Sequence, residues 1–315
     1  MPARPTVVAL AVPGPLDLGL TLAPLRRGRA DQCTQIGRRE VWRASRTPDG
    51  PVTLHLHHAR PDRVVARAWG PGRDWALEHA SDLIGLGDDP TALDPLLAAS
   101  DGPERRLLDR LHRTHPGLRI PCSLAVAEAA TPTVLEQRVT GPNAWRSYRA
   151  LVRDHGEPPP FAPDLPVALR LPPAPDVLGA LASWEFHRLG VERRRADTIR
   201  RVGRVARRLD AAAPRGPAEA GRVLGSIAGI GPWTVAEVSR VALGDADAVS
   251  VGDFHLPHQV AWVFRGKARS DDAELLELLE PYAGQRGRVV RLVGLSGISA
   301  PARGPRRATP DIRVL

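Results

Sequence analysis

Apolar residues recur along this chain with two different periods. Over the first ninety or so residues, short alternating runs at 6–12, 39–45, 51–58 and 62–69 have the period of two that half-buried strands show. Pro48, Asp49 and Gly50 supply a turn between the second run and the third. At 16–25 and 74–86 the apolar positions fall three and four apart, which predicts helices beside a small antiparallel sheet. From about residue 91 the helical period takes over, punctuated by Pro and Gly. Helices are predicted at 103–113, 124–140, 143–155, 176–181, 193–209, 218–227, 232–243, 256–263 and 273–279, with a proline-rich connection at 158–175. The reading is an α+β chain: a small N-terminal sheet with helices at 1–90, an all-helical region at 91–299, and a basic, loose tail at 300–315.

With 315 residues and 43% apolar content, the chain has enough material for one large core or two smaller ones. Cys33 and Cys122 are the only cysteines, far apart and outside any CxxC spacing, so they are expected to be plain thiols that hold no iron-sulfur cluster or thiolate metal site. No run approaches the roughly 20 apolar residues that span a bilayer, and 7–12 is too short for a signal-peptide core, so a cytoplasmic protein without membrane attachment is expected. The net charge is +9, and Lys267 is the sole lysine. So many arginines suit a polyanion, because the guanidinium makes bidentate contacts to phosphate. A genome rich in G and C gives the same bias toward Arg, Pro and Ala, and composition leaves both explanations open. The 193–209 segment joins them at one element. Ile199, Val202, Val205, Ala206 and Leu209 make an apolar face and Arg193, Arg200, Arg201, Arg204, Arg207 and Arg208 fill the rest, as a solvated surface helix or a phosphate-facing one would.

The most informative stretch is 224–256, which reads as a helix, a tight Gly229-Ile230-Gly231 turn, and a second helix opening at Pro232. Both glycines are expected to supply backbone angles that a Cβ forbids, with Ile230 plugged between the two helices. Pro suits the first helical position because the N–H it lacks had no intrahelical partner. The free amides of such a helix start form a site for a phosphate, although Gly-x-Gly before a helix is often only a turn. The loop 244–252 then delivers Asp253 to the start of another helix at Phe254, His255 and Leu256. Asp at this place is a good N-cap, and the same helix terminus favours the ionised carboxylate that oxocarbenium chemistry requires, so both roles are open.

The block Gly229-Ile230-Gly231-Pro232-Trp233-Thr234, followed by Ser250-Val251-Gly252-Asp253, resembles the helix-hairpin-helix DNA glycosylase superfamily, and within it the DNA-3-methyladenine glycosylase II (alkylpurine) type. The likeness extends to 133–140, which includes Gln137 and Arg138, and to 187–209, and the N-terminal sheet resembles the group's TATA-binding-protein-like unit.

The resemblance implies a monofunctional enzyme, a monomer, that binds double-stranded DNA and flips a damaged, alkylated base into a pocket for hydrolysis of its N-glycosidic bond. It places Asp253 as the catalytic carboxylate and Trp233 against the base. Gly229, Ile230, Gly231, Thr234, Gln137 and Arg138 become DNA-binding positions. It implies no cofactor beyond a structural monovalent cation at the hairpin. Bifunctional relatives carry a lysine where Trp233 stands, so strand cleavage through a Schiff base is not expected. Two departures stand out. Arg138 occupies the wedge position that relatives fill with an apolar or amide side chain, which leaves intercalation and plain phosphate contact both open. In addition, Gly284-Gln285-Arg286-Gly287-Arg288 offers no aromatic where relatives set one against the aspartate. His55 and His57 share a strand face beside His58, but with no carboxylate or thiolate neighbour in sequence they are not expected to bind a metal. A non-catalytic lesion-binding protein and a glycosylase for oxidised or deaminated bases are the rival readings.

Overall fold

The computed structural model describes residues 4–301; most of the expected basic tail lies outside the described residues. Five strands, β1 (Thr6–Ala11), β2 (Thr34–Ile36), β3 (Glu40–Thr47), β4 (Gly50–Arg60) and β5 (Arg63–Trp69), form one antiparallel sheet in the order β1-β5-β4-β3-β2. The helical region follows, giving the α+β arrangement that the two periodicities imply.

The register explains the alternation. Val41 faces Leu56 and Leu56 faces Ala66, while Arg43 faces Leu54 and Leu54 faces Ala68, so these residues line one face of the sheet. That face packs on the short helices Leu18–Leu22 and Arg73–Glu78, in one cluster with the Val126–Glu136 helix. Two buried arginines tie this part of the chain to that last helix: Arg43 on β3 to Glu128, with Ser45 Oγ also donating to Glu128 Oε2 at 2.8 Å, and Arg27, in the loop before β2, to Glu136 at 3.2 Å. Trp42, Ala44 and Trp69 are buried on the opposite face by Ala162, Leu169 and Leu171 of the proline-rich connection, which covers the sheet there in place of a helix. On the same face His55 stacks on Trp42 at 4.1 Å and meets Glu40 at 2.7 Å, so a carboxylate partner does exist, supplied by the neighbouring strand. Among the described residues no group of three or more His, Cys, Asp or Glu is placed to hold a metal ion. Cys33 is buried and Cys122 half-buried, both as free thiols, and among the described residues no helix is long and apolar enough to cross a membrane.

Several elements differ from the sequence pattern. The 193–209 run is two helices, Arg193–Arg204 and Ala206–Ala212, broken where Val205 takes φ −115° and ψ 13°. The 74–86 run is likewise divided into Arg73–Glu78 and Ala80–Leu83. The short β2 and the Arg286–Leu295 helix are additions.

The buried side chains fall into clusters that decide where the hairpin and Asp253 sit. One runs without interruption from Val12, just past β1, to Leu243 at the end of the second hairpin helix. Another joins Leu93–Leu118 to Leu256 and the helices that follow it. The loop carrying Asp253 therefore crosses from one core to the other.

Candidate DNA-lesion site

The hairpin consists of helices Pro217–Gly225 and Pro232–Ala242 with the tight turn between them. Gly229 has φ +99°, and a Cβ there would stand 2.0 Å from Thr198 Oγ1, so this glycine is required by both angle and space. Gly231 is different. Its φ of −112° and ψ of −179° suit any residue, and a Cβ would meet nothing within 4 Å, which corrects the expectation that both glycines serve the turn. The turn itself leaves position 231 open to a side chain, so a requirement for glycine there would have to come from what approaches from outside. Ile230 is buried in the main core, between the helices.

The first bond into the second helix runs from Val235 N to Gly231 O at 3.0 Å. The amides of Trp233 and Thr234 precede it and so lie at the free, positive end of the helix. Thr234 is only 2% exposed. Its hydroxyl accepts from Gln137 Nε2 at 2.9 Å, and the same nitrogen donates to Gly229 O at 3.0 Å. The side chains of Gln137 and Thr234 thus clamp the hairpin to the end of the Val126–Glu136 helix, which occupies the Thr234 hydroxyl and leaves its amide without an intrahelical partner. Arg138, immediately beyond, is exposed and held at φ +60°, an uncommon conformation for a residue with a Cβ.

Asp253 is half-buried. Its Oδ1 accepts from the amides of His255 at 2.7 Å and Leu256 at 2.9 Å, at the start of the Leu256–Arg265 helix, and its Oδ2 accepts from Trp233 Nε1 at 3.0 Å. The N-cap position itself is His255, so Asp253 is not the N-cap that its place in the sequence suggests; from two residues earlier one of its oxygens takes the first amides at the helix start, and the other is gripped by the hairpin helix. Trp233 touches the carboxylate directly, a contact that spacing along the chain does not disclose.

Three supports of the Asp253 loop escape sequence reasoning. Glu237, one turn after Trp233 on the same helical face, accepts from Ser250 Oγ and pairs with Arg240 at 2.8 Å. Both oxygens of Asp272 accept the Gly252 amide at 3.1 Å. Earlier in the loop, Asp247 pairs with Arg286 and accepts the Gly284 amide at 2.8 Å. Burial works against the Asp247 charge, but the hydrogen bonds and charge of Arg286 outweigh it and hold the carboxyl below its usual range, whereas burial pushes neighbouring Asp245 up. Arg286 thus occupies the stretch that lacks an aromatic, and it braces the loop. Only the spacing of Trp233 and Glu237 gave any hint of these partners. Phe254, next to Asp253, is 75% exposed and edge-on to His255 at 4.9 Å. Lys267 pairs with Glu274 at 2.6 Å. An open cleft of about 660 Å³ between the hairpin helices, lined by Pro217, Gly221, Ile230 and Val235, contains neither Asp253 nor Trp233.

No family model matches the chain, and no curated protein matches it in sequence. Solved structures do match. The 3-methyladenine DNA-glycosylase of Archaeoglobus fulgidus superposes with a TM-score of 0.74 over 91% of this chain and 97% of its own, at 17% identity. MBOgg1, in complex with a low-affinity DNA ligand, gives 0.65 over 92% and 95%, at 16% identity. The Schizosaccharomyces pombe 3-methyladenine DNA glycosylase Mag1, in complex with abasic DNA, gives 0.53 over 68% and 100%, also at 16%. At such identities the likeness establishes a shared fold.

Proposed function

We propose that this protein is a monofunctional DNA glycosylase that removes alkylated bases of the 3-methyladenine type. The observation that carries the reading is the Asp253 carboxylate, fixed by two amides at a helix start on one oxygen and, on the other, by the indole of Trp233 in the first turn of the second hairpin helix. The fold shared with the Archaeoglobus and Schizosaccharomyces enzymes supports the choice of substrate.

In this reading, the open backbone at Gly231 and the amides of Trp233 and Thr234 receive a DNA phosphate, a contact indifferent to sequence. The damaged nucleotide turns out of the duplex at a cost of a few kcal/mol, with Arg138 beside the vacated position. The C1′–N bond breaks with its electron pair passing to the cationic base, which leaves neutral and so needs no general acid. Positive charge develops at C1′ and is stabilised by Asp253, whose orientation was set before the reaction began. Water then attacks C1′ and passes its proton to the Asp253 carboxylate, which returns it to solvent, leaving an abasic site. The face of Trp233 is a favourable surface for a cationic base.

The hairpin offers a resident cation little. The carbonyls of Ile227, Ala228 and Gly229 accept from Ile230 N, from Thr198 and Arg201, and from Gln137, and Arg201 brings positive charge to 3.1 Å of the Ala228 oxygen.

Release of free base from methylated duplex DNA tests the reading. The wild-type protein is expected to release methylpurine and to yield strand breaks only after alkali. Asp253→Asn is expected to lose about 100-fold or more of the rate while still binding DNA. Binding without release by the wild type would favour a lesion-binding protein. A covalent adduct trapped by borohydride would overturn the monofunctional assignment, for which the engaged amine of Lys267 and the indole at 233 speak.

A further inference from the structure

The N-terminal part of the chain brings a basic loop to the same edge of the molecule as the hairpin. Arg27 reaches across to the Val126–Glu136 helix, where Nη1 meets both oxygens of Glu136 at 3.2–3.3 Å and Nη2 meets Thr133 Oγ1 at 3.4 Å. Glu136 also accepts from Trp145 Nε1 at 3.1 Å. The Trp145 ring lies so close over Gly28 that a Cβ there would be 2.8 Å from it. Glu136 immediately precedes Gln137 and Arg138, so loop 26–30 is fastened to the turn that carries the wedge position. The loop is also stiff: Asp31 accepts the amides of Arg27, Cys33 and Thr34, and Arg26 Nη2 donates to Arg29 O at 2.6 Å.

Such bracing leaves a consistent charge pattern. Arg27 is buried and neutralised by Glu136. Arg29, Arg138 and Arg146 are exposed, and among the described residues none of them, nor half-buried Arg26, is in an ion pair. A fixed turn with unneutralised guanidinium groups beside a DNA-reading edge is what backbone phosphates require, since rigid donors lose little freedom on binding.

We propose that loop 26–30, with Arg29 at its exposed tip, is a second phosphate-binding element that grips the duplex next to the position of Arg138, making the N-terminal unit part of the DNA interface. The inference rests on the DNA-binding reading above. It is tested on the full chain by measuring affinity for a duplex carrying a tetrahydrofuran abasic analogue across a series of salt concentrations. Arg63, at the other end of the sheet, serves as the equal-charge control. It pairs with Arg60, six residues along β4 from the Leu54 that faces Arg43, a separation of about 20 Å. Arg29→Ala is expected to weaken binding several-fold at 0.1 M salt and to reduce the slope of log affinity against log salt by about 0.9, the loss of one phosphate contact, with Arg29→Glu weaker still and Arg63→Ala unchanged. Wild-type affinity and slope in both Arg29 variants would overturn the proposal and leave the DNA-binding reading standing. A wild-type protein that fails to bind the duplex at low salt would overturn that reading, and this one with it.

Discussion

The indole of Trp233 is joined to Asp253 by a single hydrogen bond, and that bond separates two roles that a tryptophan at this position can play. Trp233→Phe keeps an aromatic face for a base and removes the N–H. A hydrogen bond to a charged group is worth about 1.5–3 kcal/mol, so the rate of base release at saturating DNA is expected to fall by about 10- to 100-fold, with affinity for the abasic duplex within a factor of about two. A large loss of affinity with little loss of rate would instead make Trp233 a binding surface alone. A second residue acts on stability. Asp210 accepts the Ala127 amide at 3.0 Å at the start of the Val126–Glu136 helix, and burial pushes its carboxyl up from 3.8 to about 6. Because the folded pKa exceeds the unfolded one, the folded state binds the extra proton between those values, and this group makes the protein more stable as pH falls from about 6 to about 4. Asp210→Asn is expected to remove that increment, on the order of 1–2 kcal/mol, and the dependence of the urea midpoint on pH across this window measures it.

At the scale of the element, the hairpin's two glycines make opposite predictions. Gly229→Ala forces a Cβ into a positive φ and against Thr198, so it is expected to cost about 2–3 kcal/mol in an unfolding titration. Gly231→Ala meets no atom and no forbidden angle, so stability should stay within about 0.5 kcal/mol while DNA affinity falls, because the Cβ stands where a phosphate would approach. The same contrast marks the limit of what the sequence discloses. A Gly-x-Gly-Pro pattern announces a turn and a helix start, but only the fold distinguishes a glycine needed by the turn from one the turn could do without. The longer strands and most helices were legible because one face of each is buried. The three residues of β2 are too few for alternation to register. In Arg286–Leu295, Gly287, Gly294 and three arginines mask the apolar face, and one of them, Arg288, is buried against Asp88, 200 positions earlier in the chain. The Asp253 loop was legible at its endpoint and not in its supports, since Glu237, Asp247 and Asp272 are carboxylates whose partners are defined only by folding.

For the whole molecule, the open question is whether residues 1–90 behave as a unit of their own, as the change of periodicity proposes. The sheet is fastened to the helical region by charge as well as by the core. Glu128 accepts from Arg43, Ser45 Oγ and the Arg46 amide, with both members of the Arg43–Glu128 pair largely buried. Removing one partner leaves the other buried and uncompensated, so Glu128→Ala is expected to cost about 3–5 kcal/mol. Replacing both, with Arg43→Met and Glu128→Leu, is expected to restore much of that loss, because the desolvation of two charges disappears together with their attraction. The unbroken cluster from Val12 to Leu243 adds a prediction about cooperativity. Sheet and hairpin share a core, so thermal unfolding of the Glu128→Ala protein followed by tryptophan fluorescence and by far-UV circular dichroism should give coincident transitions, both shifted down. An early transition confined to the sheet would mean that the N-terminal unit can release the Val126–Glu136 helix by itself. The Gln137 clamp on the hairpin would then be only as firm as the sheet behind that helix, and DNA affinity would be lost at the temperature of the first transition.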